Sequence, residues 1–364
     1  MIFVLKSRIV MEAKNYKILA INPGSTSTKV SYYNNYKEIF SVNLFVPEEI
    51  TKKLSVWDQY EFREKTIFDL ISERNIEGID AVVGRGGLLK PVKGGVYIIN
   101  EKMINDAKNN YQGEHVSNLG CVLAKSIADK FNAQPFTVDP VSVDEFEKIA
   151  YYSGHPEIKR NALSHALNIH AVAYNVANKL NKNINQCNFV IAHLGGGISI
   201  AAVKKGCIID VNDASSDGPF TPERTGGLPL QQFIEICFSG KYSKQEMKKF
   251  VMGLGGLKAY LGTSNASEVE QRINNGDNYA KEVYEAMAYQ ISKEIGAMST
   301  VLEGNVDRII LTGGLANSKM LTDWIKNRVA FITKIEIVPG ENEMQSMVFG
   351  VLRVLNGEEN LKEY

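Results

Sequence analysis

The chain has 364 residues, with 41 Lys+Arg against 41 Asp+Glu, 44% hydrophobic and 23% charged residues, the profile of an ordinary globular protein of about two domains. A formal net charge of zero removes the attraction on which non-specific nucleic-acid or anionic-membrane binding depends, so neither is an expected partner. Four widely spaced cysteines, Cys121, Cys187, Cys207 and Cys237, form no C-x-x-C, which argues against a disulfide framework or zinc ribbon and points to a reducing cytoplasm.

In chain order, Met1-Ile-Phe-Val-Leu5 is apolar, but Lys6 and Arg8 interrupt it and no small-residue cleavage site follows, so it does not read as a signal peptide; Met1 and Met11 both stand as candidate starts. Lys17-Ile-Leu-Ala-Ile-Asn-Pro-Gly24 is a short apolar run ending in a glycine turn, and Thr28-Lys-Val-Ser-Tyr-Tyr33 alternates like a strand. The polar stretch 151–159, with Gly154 and Pro156, reads as a domain joint. The uncharged stretch 183–203 is long enough to cross a bilayer, yet its Asn, Gln, His and three successive glycines make it a strand, turn and strand. Phe189-Val-Ile-Ala-His-Leu-Gly-Gly-Gly197 and Arg308-Ile-Ile-Leu-Thr-Gly-Gly314 repeat the first design, and Ile198-Ser-Ile-Ala-Ala-Val203 and Cys207-Ile-Ile-Asp-Val211 read as further strands. The spacing of Val283, Met287, Ile291, Ile295 and Met298 predicts a helix over 279–302. Alternating strands and helices predict an α/β architecture with a cleft between two domains.

Asn22-Pro-Gly-Ser-Thr-Ser-Thr-Lys29 offers close backbone approach, hydroxyl donors and a cation, as a phosphate requires, without being a P-loop. Taken alone it is equally a plain Ser/Thr-rich hairpin turn. Leu194-Gly-Gly-Gly197 could grip phosphates from the opposite wall. Thr312-Gly-Gly-Leu-Ala-Asn-Ser318 opens a helix, whose first amides favour polar ligand atoms; by itself it reads better as a βα turn with a cap. Arg85 in Val83-Gly-Arg-Gly-Gly87 and Arg224 in Gly218-Pro-Phe-Thr-Pro-Glu-Arg-Thr-Gly-Gly227 are guanidinium groups held on glycine-rich turns, suited to carboxylate and phosphoryl oxygens. His115, His155, His165, His170 and His193 show no H-E-x-x-H pattern, so zinc is not expected.

Together with His193-Leu-Gly-Gly-Gly197 and Thr312-Gly-Gly314, these motifs resemble, in order, those of the acetate kinase family in the acetate and sugar kinase/Hsp70/actin superfamily. The resemblance implies a duplicated ribonuclease-H-like, actin-like ATPase fold. Residues 1–155 would form an acid-binding domain, with about 345–364 packing back on it, and 156–344 a nucleotide-binding domain. It implies ATP/ADP and Mg²⁺, and butyrate or a similar short-chain acid as substrate. It further implies Asn22, Ser25, Ser27 and Lys29 as the first phosphate loop, and His193 with Gly195, Gly196 and Gly197 as the second. Thr312, Gly313, Gly314 and Asn317 would form the adenosine loop. Arg85, Arg224, His165 and Asp139 would be catalytic, with Arg85 and His115 at the acid and Glu343 near the metal. A homo-oligomer, dimer or larger, is also implied. Gly196 stands where acetate kinases carry Asn and a longer arginine loop is missing, departures that argue against acetate as the preferred acid.

The first-strand position that carries Asp in sugar kinases and actin-like ATPases is Asn22 here. A carboxylic acid, with a pKa of ~4–5, is already ionised at neutral pH and needs no general base. It needs relief from repulsion by the γ-phosphate, which arginine, lysine and a metal supply. Kinases for isobutyrate, propionate or acetate are the nearest alternatives, and an actin/Hsp70-like nucleotide switch is the alternative from another class.

Overall fold

The computed structural model describes residues 14–364; the two candidate starts, Met1 and Met11, lie outside the described residues. Two sheets organise the chain. The first contains β1 (Lys17–Pro23), β2 (Ser27–Asn34), β3 (Lys37–Phe45), β4 (Ala81–Gly84), β5 (Val96–Ile98) and β6 (Gln134–Val138), in the order β3-β2-β1-β4-β6-β5. A small hairpin of β7 (Tyr152–His155) and β8 (Ile158–Lys159) occupies the stretch read as a joint. The second sheet contains β9 (Asn188–Leu194), β10 (Ile198–Lys204), β11 (Cys207–Val211), β12 (Arg308–Gly313) and β13 (Ile335–Pro339), in the order β11-β10-β9-β12-β13.

The two sheets share one plan. Each begins with an antiparallel three-strand meander whose first strand then pairs in parallel with a later one, β1 with β4 and β9 with β12. Each central strand is apolar on both faces because helices cover both. Leu19 and Ile21 pack with the helix Asn118–Phe131, while Ile18 and Ala20 pack under the helix Glu343–Leu355. In the second sheet, Val190, Ala192 and Leu194 face the helix Asn278–Val301, and Phe189 and Ile191 face the helix Ala166–Lys179. The helices Ala166–Lys179 and Glu343–Leu355 also pack on each other, so both lie between the sheets.

The period of two in a strand decides what enters this space. Asn22 follows Ile18 and Ala20 onto the face toward Glu343–Leu355, and His193 follows Phe189 and Ile191 onto the face toward Ala166–Lys179. Equivalent ends of the two sheets thus aim a polar side chain at the gap between the halves.

Candidate active site

On the first side, the Asn22 amide donates to Glu343 Oε2 (2.5 Å), and Lys29, paired with Asn22 in the strand register, stands beside them. Asn22, Lys29, Glu38, Glu341 and Glu343 line a polar cavity of about 350 Å³. Ser25 is exposed and Ser27 half-buried at the hairpin tip. Beneath the tip lies Arg63, fully buried on the helix Tyr60–Glu73. Its Nη1 donates to the Ser27 carbonyl (3.2 Å) and Thr28 Oγ1 (2.8 Å), and its Nη2 to the Gly24 carbonyl (3.0 Å). Burial lowers its pKa to about 10, which still leaves a full positive charge at neutral pH under the loop. Sequence reasoning missed Arg63 because, apart from Gln59 one turn back on its helix, its contacts are made 35 to 39 residues away, with no local motif.

Arg85 follows β4, its N–H bonded to Ile21 O (2.9 Å). Its buried guanidinium donates from Nη1 to the Asp139 carbonyl (3.2 Å) and lies 3.5 Å from Glu343 Oε1. Asp139, expected among the catalytic groups, has its Oδ1 taken by the Gly95 N–H (2.7 Å) and His170 Nδ1 (2.8 Å). Its backbone carbonyl, rather than its carboxylate, is what meets Arg85. His115 is bonded through Nδ1 to Ser117 Oγ (2.7 Å), and partial desolvation, then the Arg85 charge, lower its pKa.

On the second side, His165 and His193 stack with ring centroids 3.9 Å apart and planes 12° from parallel. His193 bonds through Nδ1 to Asn168 Oδ1 (2.9 Å) and through Nε2 to Glu341 Oε1 (3.1 Å). His165 precedes the helix Ala166–Lys179, and its Nδ1 meets Ser199 Oγ (2.9 Å). Burial first, then the charges of His193, Arg224 and Arg85, hold the His165 pKa well below its ordinary value. His193, stacked on His165, is bonded to Glu341, two residues before the Glu343 that lies beside Arg85, and Arg224 rests on Gly197 of the loop that follows His193. The sequence reading chose Glu343 from Glu341-Asn-Glu343; Glu341, the carboxylate on His193, went unassigned.

Arg224 lies across the second loop. A Cβ on Gly197 would stand 2.5 Å from its Nη1, so only glycine admits the guanidinium there. Nη1 donates to the Ala214 carbonyl (2.7 Å), whereas the buried Nε has no partner among the described residues. Thr221 Oγ1 donates to Gly196 O (2.6 Å), joining the arginine turn to the glycine loop. Gly195 adjoins Glu341 and His193. Thr312 is buried beside His193 in the register, and Gly313 closes on the backbone of Leu194. Residues Gly314–Asn317 form a single 3₁₀ turn, and Ser318 then caps the helix Lys319–Val329 by accepting from Leu321 N, the βα turn with a cap that the sequence favoured. Gly314 and Asn317 are exposed on that turn. A larger cavity of about 750 Å³ lies under the β7–β8 hairpin and takes in Ala162 and Leu163, but none of the predicted site residues lines it.

Residues 152–351 match the acetokinase family. Butyrate kinase 2 of Clostridium acetobutylicum is 49% identical over 353 residues, covering 96% of this chain and 99% of that protein. The chain belongs to the acetokinase family. A probable butyrate kinase 2 of Caldanaerobacter subterraneus subsp. tengcongensis is also 49% identical, over 96% of this chain and 99% of its own length. The fold is shared with the crystal structure of Porphyromonas gingivalis acetate kinase, with a TM-score of 0.77 over 93% of this chain and all of that one, at 16% identity. The architecture is accordingly the family's two-domain, actin-like ATPase fold, and the chain is a carboxylate kinase of the acetokinase family.

Proposed function

We propose that this chain catalyses reversible, Mg²⁺-dependent phosphoryl transfer between ATP and butyrate, giving butyryl phosphate and ADP. The convergence of Arg85, Arg224, His165 and His193 between the two sheets carries the reading. In it, the unit built on the first sheet binds the acid and that built on the second binds the nucleotide. Asn22, Ser25, Ser27 and Lys29 take phosphate oxygens from one side, and His193 with Gly195, Gly196 and Gly197 from the other. Thr312, Gly313, Gly314 and Asn317 receive the adenosine.

Arg85, with His115 nearby, orients the ionised carboxylate, and Arg224 offers its guanidinium charge to the moving phosphoryl group. With the Ser199 hydroxyl donating to Nδ1, neutral His165 presents Nε2–H to the same oxygens. No proton is abstracted, so positioning and charge neutralisation supply the rate. Glu343 is a hard oxygen donor beside Asn22, which fits a magnesium ion that takes most of its ligands from phosphate and water. That ion would neutralise charge on the phosphates. Hinge closure of the two halves would exclude water, the competing nucleophile.

The test is acyl phosphate formation trapped as hydroxamate, with MgATP and acetate, propionate, butyrate or isobutyrate. The highest kcat/KM is expected with butyrate, and chelation of magnesium abolishes the signal. A preference for another acid overturns the chain-length assignment, because one methylene is worth only about 1–3 kcal/mol. No acyl phosphate from any acid, with ATP bound, overturns the reading.

A further inference from the structure

A buried ionic knot lies behind the site. His170 donates from Nδ1 to Asp139 Oδ1 (2.8 Å) and from Nε2 to Glu145 Oε2 (3.2 Å), and all three side chains are almost wholly buried. Burial alone would lower the His170 pKa, but the two carboxylates outweigh it and raise the pKa well above the ordinary value. The knot joins three parts of the molecule. Asp139 follows β6 of the first sheet, Glu145 accepts from Ile208 N of β11 in the second (2.7 Å), and His170 lies on the helix that begins beside His165 and carries Asn168, the partner of His193. The ring also fits against Gly94, where a Cβ would lie 2.3 Å from His170 Cε1.

Asp139 is a non-glycine residue at φ 40°, in the left-handed region, which is disfavoured for side chains and persists only where the surroundings impose it. Gly95 and His170 impose it: the Asp139 N–H donates to Gly95 O (3.0 Å), and its Oδ1 receives Gly95 N and His170. The carbonyl that this conformation presents is the one that receives Arg85 Nη1.

We propose that His170 is a positioning residue for phosphoryl transfer: by clamping Asp139 in this conformation it fixes Arg85 relative to the stacked His165 and His193. The inference rests on the carboxylate kinase reading above. His170 touches no reacting atom; its action runs through the Asp139 carbonyl. Geometry and charge at this knot therefore set how well the acid is aimed at the phosphoryl group.

The test is a double-mutant cycle in the full chain, read as acyl phosphate formation under saturating MgATP. His170→Gln should lower kcat about 10- to 100-fold while KM for ATP moves little. In an Arg85→Ala background the same change should cost less than about threefold, because the group it positions is already gone. Should His170→Gln not fold, Glu145→Gln, which leaves the ring and Asp139 in place, carries the same cycle. Equal losses in both backgrounds, or no loss beside intact Arg85, overturn the positioning role and leave the kinase reading standing. Absence of acyl phosphate with the unaltered chain overturns both.

Discussion

The hairpins at the ends of β1 and β9 occupy the same place in two sheets of the same plan, yet they are built oppositely. The first is polar and braced: Asn22, Ser25, Ser27 and Lys29 sit over the buried charge of Arg63, which holds the carbonyls of Gly24 and Ser27. The second has no side chains at Gly195, Gly196 and Gly197, and takes its polarity from elsewhere, with Arg224 laid on Gly197 and His193 held by Asn168 and Glu341. Topology fixes where the strand ends point. What fills them decides that one hairpin is braced from below through its backbone, while the other leaves room for groups delivered by distant turns.

The comparison breaks most severely where the arginines are removed. Arg85→Ala should reduce kcat for acyl phosphate formation about a hundredfold or more, and Arg224→Ala should depress kcat more than ATP affinity. A pure KM effect at Arg224 would contradict its place on the phosphoryl group. Gly197→Ala is subtler: its new Cβ collides with the guanidinium, so kcat should fall about tenfold with near-normal thermal stability. If turnover survives, the second loop does not depend on this close contact.

Arg63→Met tests the braced hairpin. It strips donors from two carbonyls and Thr28, so a stability loss of about 1–3 kcal/mol in urea titration is expected, with KM for ATP rising about tenfold and kcat changing less. Equal loss of kcat would mean that the brace serves the reacting groups as well.

The smallest effect is in the pH dependence. The folded His170 pKa lies above the unfolded value of 6.5, so its stabilisation is complete below that value and disappears as the pH rises through the folded pKa. His165 is shifted the other way, so stability falls as the pH drops below 6.5 and the unfolded chain takes up a proton that the native ring refuses. Each group contributes a slope of at most about 1.4 kcal/mol per pH unit. Urea midpoints of His170→Gln and the unaltered chain should therefore converge as the pH is raised. The rate profile should lack a His165 inflection near 6.5.

The strands that carry Asn22, His193 and Thr312 were legible because each is a short apolar run closed by glycine, and such runs suit central strands covered on both faces. That Arg85 and Arg224 are held on tight turns was legible from the glycine and proline around them. Arg63 was not, because an arginine on a helix looks like a surface residue until the hairpin folds over it. The knot of Asp139, Glu145 and His170 left no local signature either, since its members come from a strand end, a connecting loop and a helix. Near Gly314 the apolar strand, the βα turn and the capped helix after it were legible too, with Ser318 as the cap and a 3₁₀ turn between.

The helix Glu343–Leu355 has a consequence for the order of events during synthesis. Met344, Met347, Val348, Val351 and Leu352 complete a core whose other members, among them Ile18, Ala20, Ala81, Val83, Phe136 and Val138, leave the ribosome roughly two hundred to more than three hundred residues earlier. Lys362 then pairs with the backbone of Val96, and the Tyr364 hydroxyl reaches Lys90 N and Asp106. The first sheet must wait, one greasy face uncovered, while the whole second sheet is made. The half of the molecule that emerges first is therefore the half that finishes last, its apolar face exposed in the growing chain until the C-terminal helix arrives.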